Sequence, residues 1–110
     1  MKFRHLETFS EQGLTVSKHQ LQNGLTLLHQ YQPGSPVVSY QTWFRVGSRD
    51  DGSKTKGQAH LFEHLMFLGT EAFPAGAYDR LVEARGGRVN AATWLDWTYY
   101  DVDVPIALFD

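Results

Sequence analysis

The stretch His60-Leu61-Phe62-Glu63-His64 decides most of what this sequence says about fold and chemistry, because it has the pattern H-x-x-E-H. On an α-helix, residues four apart lie one above the other, so His60 and His64 would share a face. Two imidazoles at that spacing can both reach one zinc ion, at Zn–N distances of about 2.0–2.1 Å. Glu63 lies close to the same face, where it can take a proton from a zinc-bound water that attacks a carbonyl. The pattern therefore predicts a metal-dependent hydrolytic site on a helix.

The competing interpretation is that these are ordinary helical histidines beside a surface acid. The predicted helix, residues 58–68, is apolar nearly all round, and such a helix is expected to be buried. Its large apolar residues are Leu61, Phe62, Leu65, Met66, Phe67 and Leu68. Three ionisable residues in a buried helix are costly unless they are paired or bound to a metal ion. This cost favours the metal site.

Strand and turn patterns flank the helix. Residues 16–31 predict a β-hairpin whose Asn23-Gly24 turn is typical of type I′, and residues 37–46 predict the clearest strand. A polar loop precedes the helix that carries H-x-x-E-H. A second helix follows it and ends at Gly86-Gly87, and two more strands come after that. The predicted ranges are 47–57 for the loop, 74–85 for the second helix, and 88–95 and 97–104 for the strands. The sequence predicts an α+β domain over residues 14–110, preceded by a loosely ordered lead-in over residues 1–13.

The composition excludes several classes of protein. The chain has 110 residues, 42% hydrophobic and 20% charged, with a formal net charge of −2. These values fit one domain with a packed core, and they argue against nucleic acid as the main partner, since phosphate binding needs clustered Lys and Arg. Without cysteine, disulfides are excluded and any metal ion must be held by histidine and carboxylate groups. No apolar run approaches the roughly 18 residues that a membrane span needs.

The N-terminus gives an expectation about the compartment. Residues 1–7 have a basic start but no apolar segment of the kind found in secretory signals. Glu7 and Glu11 argue against a transit peptide, which is poor in acids. The expected location is the cytoplasm, with the periplasm or an organelle as alternatives if a signal was removed upstream.

Two other patterns in the sequence could carry a function. Residues 47–55 resemble a phosphate-binding P-loop, but Ser53 stands where that motif requires lysine and Lys54 is shifted by one, so a solvated loop is favoured. An aromatic set on the predicted strands could bind a sugar or a base, but packing between sheet and helices is favoured. The set is Trp43, Trp94, Trp97, Tyr99 and Tyr100.

Beyond H-x-x-E-H, several segments resemble one family in the same order along the chain. That family is the pitrilysin–insulinase group of zinc metallopeptidases, the inverzincins, which also contains the mitochondrial processing peptidases. The matching segments are Leu21-Gln22-Asn23-Gly24-Leu25-Thr26, residues 43–49, residues 57–70, Gly86-Gly87-Arg88-Val89-Asn90-Ala91-Ala92-Thr93 and Thr98-Tyr99-Tyr100. The resemblance covers residues 18–104 and implies a mainly antiparallel sheet with helices packed on one face, the N-terminal part of a catalytic half-domain.

The resemblance also implies roles for individual residues. His60 and His64 would be ligands of one Zn²⁺ ion, and Glu63 would be the general base in peptide-bond hydrolysis. Asn90 and Ala91 would lie on a strand beside the zinc, where a peptide or unfolded polypeptide substrate adds as an extra strand through main-chain hydrogen bonds. The alternative for Asn90 is a turn or bulge position.

The family's third zinc ligand is a glutamate further along the chain than residue 110, and a catalytic zinc needs three protein ligands. The chain is therefore expected to be an incomplete catalytic domain, weakly active or inactive alone, that works with a second peptidase-like domain or subunit. Self-association through exposed strand edges is a further expectation. The alternative function is a non-catalytic, chamber-forming domain. Acids within the chain that might replace the third ligand, with none singled out by spacing, are Glu71, Asp79, Glu83 and Asp96.

Overall fold

The computed structural model describes residues 2–108, which form two units with a boundary in the chain between Ser35 and Pro36. The first unit is a three-stranded antiparallel sheet in the order β1-β2-β3. Its strands are β1 Phe3–Glu11, β2 Leu14–Leu21 and β3 Thr26–Gln30. The lead-in at residues 1–13, expected to be loosely ordered, instead contains the regular strand β1. β1 pairs with β2, with a register shift between His5 and Glu7, and this pairing orders the strand although it buries no side chain.

The two turns of this unit differ from the sequence prediction. Gln12 and Gly13, between β1 and β2, have φ of 50° and 83°, the combination that a type I′ turn requires. At the second turn, only Gly24 has positive φ, at 89°, and its N–H donates to the carbonyl of Leu21 at 3.0 Å. The prediction of a hairpin at residues 16–31 is confirmed, but the type I′ geometry belongs to the preceding turn.

The second unit holds the predicted helices and a second sheet. Its strands are β4 Val37–Phe44, β5 Arg88–Thr93 and β6 Thr98–Pro105, and its helices are α1 Gln58–Leu65 and α2 Ala77–Glu83. Short 3₁₀ turns occupy Ser48–Asp50 and Ile106–Leu108. The sheet has the order β4-β6-β5 with antiparallel pairing throughout, so the predicted α+β class is confirmed. β6 is the central strand and β5 is an edge strand of this sheet.

Both helices pack on the same face of this sheet, as predicted. The face is identified by α1, whose Glu63 is hydrogen-bonded to Thr93 of β5. α2 packs on the same face, where its Tyr78 lies near Tyr40 of β4. The pKa of the Tyr78 phenol is raised by burial and then by the charges of Asp79 and Tyr40. We call this surface the helix face. It follows that the site on α1 is built against the end of β5.

The helices are more exposed than their sequences predicted. Among the described residues, Ala59 and Val82 are the buried apolar side chains, whereas Leu61 and Phe62 of α1 are 57% and 59% exposed. The expectation that α1 is buried all round is therefore wrong. α1 contacts β5 and the 3₁₀ turn at Ser48–Asp50, and its outer apolar side chains remain exposed.

Candidate metal centre

α1 places the H-x-x-E-H side chains in one cluster, as the helical spacing predicted. The Nε2 atoms of His60 and His64 lie 3.0 Å apart, and the two ring centroids are separated by 4.5 Å. With Glu63, each residue offers one ligand atom, and these atoms all lie within 4.8 Å of one another. The histidines are exposed and Glu63 is buried, so the cluster presents nitrogen ligands outward and a carboxylate inward.

This arrangement fits a zinc ion. Two ligand nitrogens about 2.0–2.1 Å from a tetrahedral zinc ion lie roughly 3.3 Å from each other. The observed 3.0 Å between the Nε2 atoms is close to that separation, without any change of backbone. Imidazole nitrogens are donors that zinc accepts in sites without cysteine, so His60 and His64 fit as two of its ligands and Glu63 remains free to act as a base.

Glu63 is held by a hydroxyl that the sequence analysis did not single out. Its side chain is 8% exposed, and its Oε2 accepts a hydrogen bond of 2.5 Å from Thr93 Oγ1, at the end of β5. A buried carboxylate is costly unless donors satisfy it, and charge-assisted hydrogen bonds are the strong ones. Thr93 therefore positions Glu63 beside the histidines.

Thr93 is itself supported from β6. Thr98, the register partner of Thr93, is buried at 6% exposure. Its hydroxyl donates to the carbonyl of Val46 at 2.9 Å and lies 3.5 Å from Thr93 Oγ1. The chain Thr98–Thr93–Glu63 ties the end of β4 to α1. In the sequence, this contact is indicated only by the two threonines that flank the turn between β5 and β6.

Two further side chains shape the site. Burial and then the charge of Glu63 raise the pKa of the Tyr100 phenol, so Tyr100 stays protonated near the carboxylate at neutral pH. Asp51 accepts hydrogen bonds from the backbone N–H groups of Gly57, at 2.7 Å, and Ala59, at 2.9 Å. Such a carboxylate accepts hydrogen bonds from the free N–H groups at the start of a helix, and its charge interacts favourably with the positive end of the helix dipole. Asp51 thus fixes where α1 begins.

The remaining predicted site residues lie on β5. Asn90 pairs in register with Asp101, and Ala91 pairs with Tyr100. Because side chains alternate along a strand, Ala91 shares the helix face with Thr93, and Asn90 lies on the opposite face. Neither residue joins the cluster of possible metal ligands, and within residues 2–108 the same holds for Glu71, Asp79, Glu83 and Asp96.

Comparisons with known proteins define the class. A protease from Helicobacter pylori has a crystal structure that matches 84% of this chain and 22% of its own length, at TM-score 0.79 and 32% identity. The crystal structure of pitrilysin matches 94% of this chain and 12% of the pitrilysin chain, at TM-score 0.78 and 22% identity. At that identity, the match shows a shared fold only. The chain thus shares its fold with part of a bacterial protease and with part of pitrilysin.

The family model described as Insulinase (Peptidase family M16) matches residues 26–108, and this chain belongs to that family. An uncharacterized zinc protease of Streptomyces coelicolor is 34% identical over 89% of the chain and 23% of its own length. The mitochondrial-processing peptidase subunit beta of Lentinula edodes is 34% identical over 96% of the chain and 24% of its own length. The chain therefore spans about a quarter of the length of these relatives. The predicted family is confirmed.

Within the described residues, no helix is long and apolar enough to cross a bilayer. The relatives include mitochondrial and bacterial proteins, so the cytoplasmic location stays a prediction.

Proposed function

We propose that this chain forms the metal-binding part of a zinc-dependent peptidase that hydrolyses peptide bonds. The observation that carries the proposal is the cluster itself: two imidazole nitrogens 3.0 Å apart, with a buried carboxylate on the same helix. Membership of the insulinase family and the names of the zinc protease relatives support it. His60 and His64 hold the zinc ion and Glu63 is the general base.

When bound, zinc would act as a Lewis acid that polarises a carbonyl and lowers the pKa of water. Glu63 accepts a proton from the attacking water and transfers it to the nitrogen of the leaving amine. Thr93 holds one carboxylate oxygen of Glu63 through its hydroxyl, at 2.5 Å. The other oxygen is then left for the proton, so the base has a fixed direction during the reaction.

The peptide is proposed to add along β5. This strand is at the edge of its sheet, with β6 on its only paired side among the described strands. An edge strand offers unpaired main-chain N–H and C=O groups, which an extended peptide can use as an extra strand. Asn90 and Ala91 lie in the middle of β5 and are the proposed substrate-binding residues. The Thr93 end of the same strand contacts Glu63, so the added peptide would run toward the base.

A third ligand and a second peptidase-like domain or subunit complete the proposed enzyme, because three protein ligands are the rule for catalytic zinc. The chain alone is expected to bind zinc weakly and to cleave slowly or not at all. Self-association through the exposed edges of the sheets is also proposed. A monomer at all concentrations in light scattering would contradict self-association.

The test is hydrolysis of a quenched fluorescent peptide library with added zinc. Where the gene continues past residue 110, the longer product is measured beside the chain. Zinc-dependent cleavage that a chelator abolishes and Glu63→Gln reduces by at least about a hundredfold is expected. Glu83→Gln, an exposed acid on α2, is the matched control and should leave the rate unchanged. Zinc binding without cleavage in either product would favour the non-catalytic, chamber-forming alternative.

A further inference from the structure

Four aromatic rings form a row on the second unit's sheet, next to the turn between β5 and β6 and on the face opposite the helices. Tyr99 stacks on Trp43 with ring centroids 4.7 Å apart, and Trp97 lies 5.2 Å from Trp43. Trp94 comes last, in a near-parallel stack on Trp97 at 6.3 Å and 22°. The row thus runs from β4 past β6 to the end of β5. The proposed chemistry at Glu63 does not use these rings.

Trp94 is the exposed end of this row. Its side chain is 62% exposed, and among the described residues its only ring contact is the stack on Trp97. Trp97 leads into β6, on the inner side of β5, and covers one face of the Trp94 ring. The other ring face therefore points away from β6, toward the unpaired edge of β5. An open indole face is a surface on which another aromatic ring can stack.

The backbone holds Trp94 in place. Its N–H donates to the carbonyl of Trp97 at 2.8 Å, and its carbonyl accepts a hydrogen bond from the N–H of Ser48 at 2.8 Å. Gly47 is buried against the same carbonyl, where a Cβ atom would collide with it. The ring is thus positioned before any peptide binds, which lowers the entropy cost of a contact with it.

The same hydrogen bonds show which groups of β5 face its open edge. In an antiparallel pair, residues bonded to the partner strand alternate with residues whose N–H and C=O groups point away from it. Trp94 is bonded to Trp97, and the register has no shift, so Ala92 also faces β6. The main-chain groups of Ala91 and Thr93 then point to the edge. A peptide strand bonded to these two residues would place one of its own residues opposite Ala92.

The peptide residue opposite Ala92 would lie against Trp94. Paired residues share a face of the sheet, so its side chain would lie on the face opposite the helices, about 4.8 Å from β5. Ala92 occupies little space there, and Trp94 is the next residue of β5 on the same face, within reach of an aromatic side chain. Thr93, between the two, holds Glu63, so this peptide residue is close to the scissile bond.

We propose that Trp94 and Ala92 form a subsite for an aromatic side chain of a peptide that pairs along β5. The subsite rests on the proposed function, since it requires the peptide to add at that edge. The bound ring extends the aromatic row by one member beyond Trp94. The peptide is thus selected at a residue whose two neighbours point to the helix face, where Glu63 lies.

The test uses fluorescently labelled seven-residue peptides and anisotropy, in the Glu63→Gln background to prevent cleavage. The central residue is phenylalanine, leucine or alanine in a constant sequence without other aromatic residues. Phenylalanine is expected to bind about tenfold tighter than alanine, and leucine about threefold. Trp94→Ala should remove most of the phenylalanine preference, and Trp94→Phe should keep it.

The matched control is Trp43→Ala, because Trp43 belongs to the same row but lies three strand spacings from the peptide. This variant should keep the preference. Circular dichroism shows that each variant is folded. The comparison of the three peptides needs no Trp94 variant, so it stands even where Trp94→Ala fails to fold.

Each other outcome overturns the subsite. Equal binding of phenylalanine and alanine peptides would remove it while leaving strand addition intact. Equal binding of phenylalanine and leucine peptides would remove the selection of a ring. No binding of any peptide would contradict strand addition along β5 itself. A preference lost equally in Trp43→Ala would place the contact elsewhere on the sheet. If sedimentation shows a dimer that Trp94→Ala dissociates, a second copy of the chain is the occupant instead.

Discussion

The helix face and the opposite face of the second unit's sheet each hold a buried carboxylate, and the two differ in what satisfies them. Glu63, 8% exposed, receives a 2.5 Å hydrogen bond from Thr93 and lies beside two imidazoles. Asp101, 6% exposed, has an oxygen with no partner among the described residues. Burial alone therefore does not assign a role to an acid. The groups around each acid distinguish the two: Glu63 has a hydroxyl donor, whereas the nearest cation to Asp101 is the Arg88 guanidinium, 4.0 Å from Oδ2.

The largest expected effect, a loss of zinc affinity, comes from removing a proposed metal ligand on the helix face. His64→Ala is expected to lower zinc affinity by more than about a hundredfold, because even residues that only support ligands are worth 10–100-fold. His29→Ala is the matched control, since His29 is exposed on β3 in the other unit. Isothermal titration calorimetry with zinc measures both. Equal affinity in the two variants would place the metal elsewhere.

The next largest effect distinguishes the hydrogen bond made by the Thr93 hydroxyl from the packing of the Thr93 side chain. Thr93→Val is expected to lower the free energy of unfolding by about 1–3 kcal/mol, because it leaves the buried Glu63 carboxylate without its donor. Thr93→Ser keeps the hydroxyl and should restore most of the loss. Urea denaturation followed by circular dichroism measures both variants. If Val and Ser destabilise the chain equally, packing rather than the hydrogen bond explains the contact.

On the opposite face of the sheet the sign of the effect should reverse. Asp101→Asn removes a buried charge whose Oδ1 has no hydrogen-bond donor among the described residues and whose Oδ2 lies 4.0 Å from Arg88, and it keeps the shape of the side chain. The free energy of unfolding is therefore expected to rise by about 1 kcal/mol. The same denaturation experiment applies, with Asp96→Asn as the exposed control. A loss of stability in Asp101→Asn would mean that Asp101 has a donor in solution, and the two faces would no longer differ.

The smallest expected effect concerns Asp103. Its pKa is lowered from 3.8 in the folded chain, by Ser39 and then Arg88, so its contribution to stability is present above that unfolded value. The contribution fades as pH falls through the folded pKa. Arg88→Met should therefore reduce stability slightly at neutral pH and have no effect at a pH well below 3.8, in urea titrations at both values. A constant difference across pH would contradict the ion pair.

The local signals in the sequence predicted much of this chain. The apolar runs and turn residues located the helices and five of the six strands, with ends that differ by a few residues. The spacing of His60, Glu63 and His64 predicted their cluster correctly, because a helix fixes which residues share a face. The family followed from the same segments and is confirmed.

Contacts between distant segments could not be read in this way. Residues 1–13 showed no period, yet Phe3–Glu11 form a strand, because its backbone pairing with β2 needs no alternation of apolar side chains. The apolar pattern of α1 predicted burial, but burial depends on a second covering surface, which the described residues of that unit do not provide.

The sequence by itself determined the class of fold, the family and the three clustered side chains, since each depends on local spacing. Tertiary structure decided how the two acids are satisfied, because both environments join segments far apart in the chain. Glu63 meets Thr93 across 30 positions, and Arg88 donates to Asp103 across 15 while it lies 4.0 Å from Asp101. Packing of α1 on the sheet sets the first contact and strand register sets the second, and a register shift of one residue would exchange the two faces of β5.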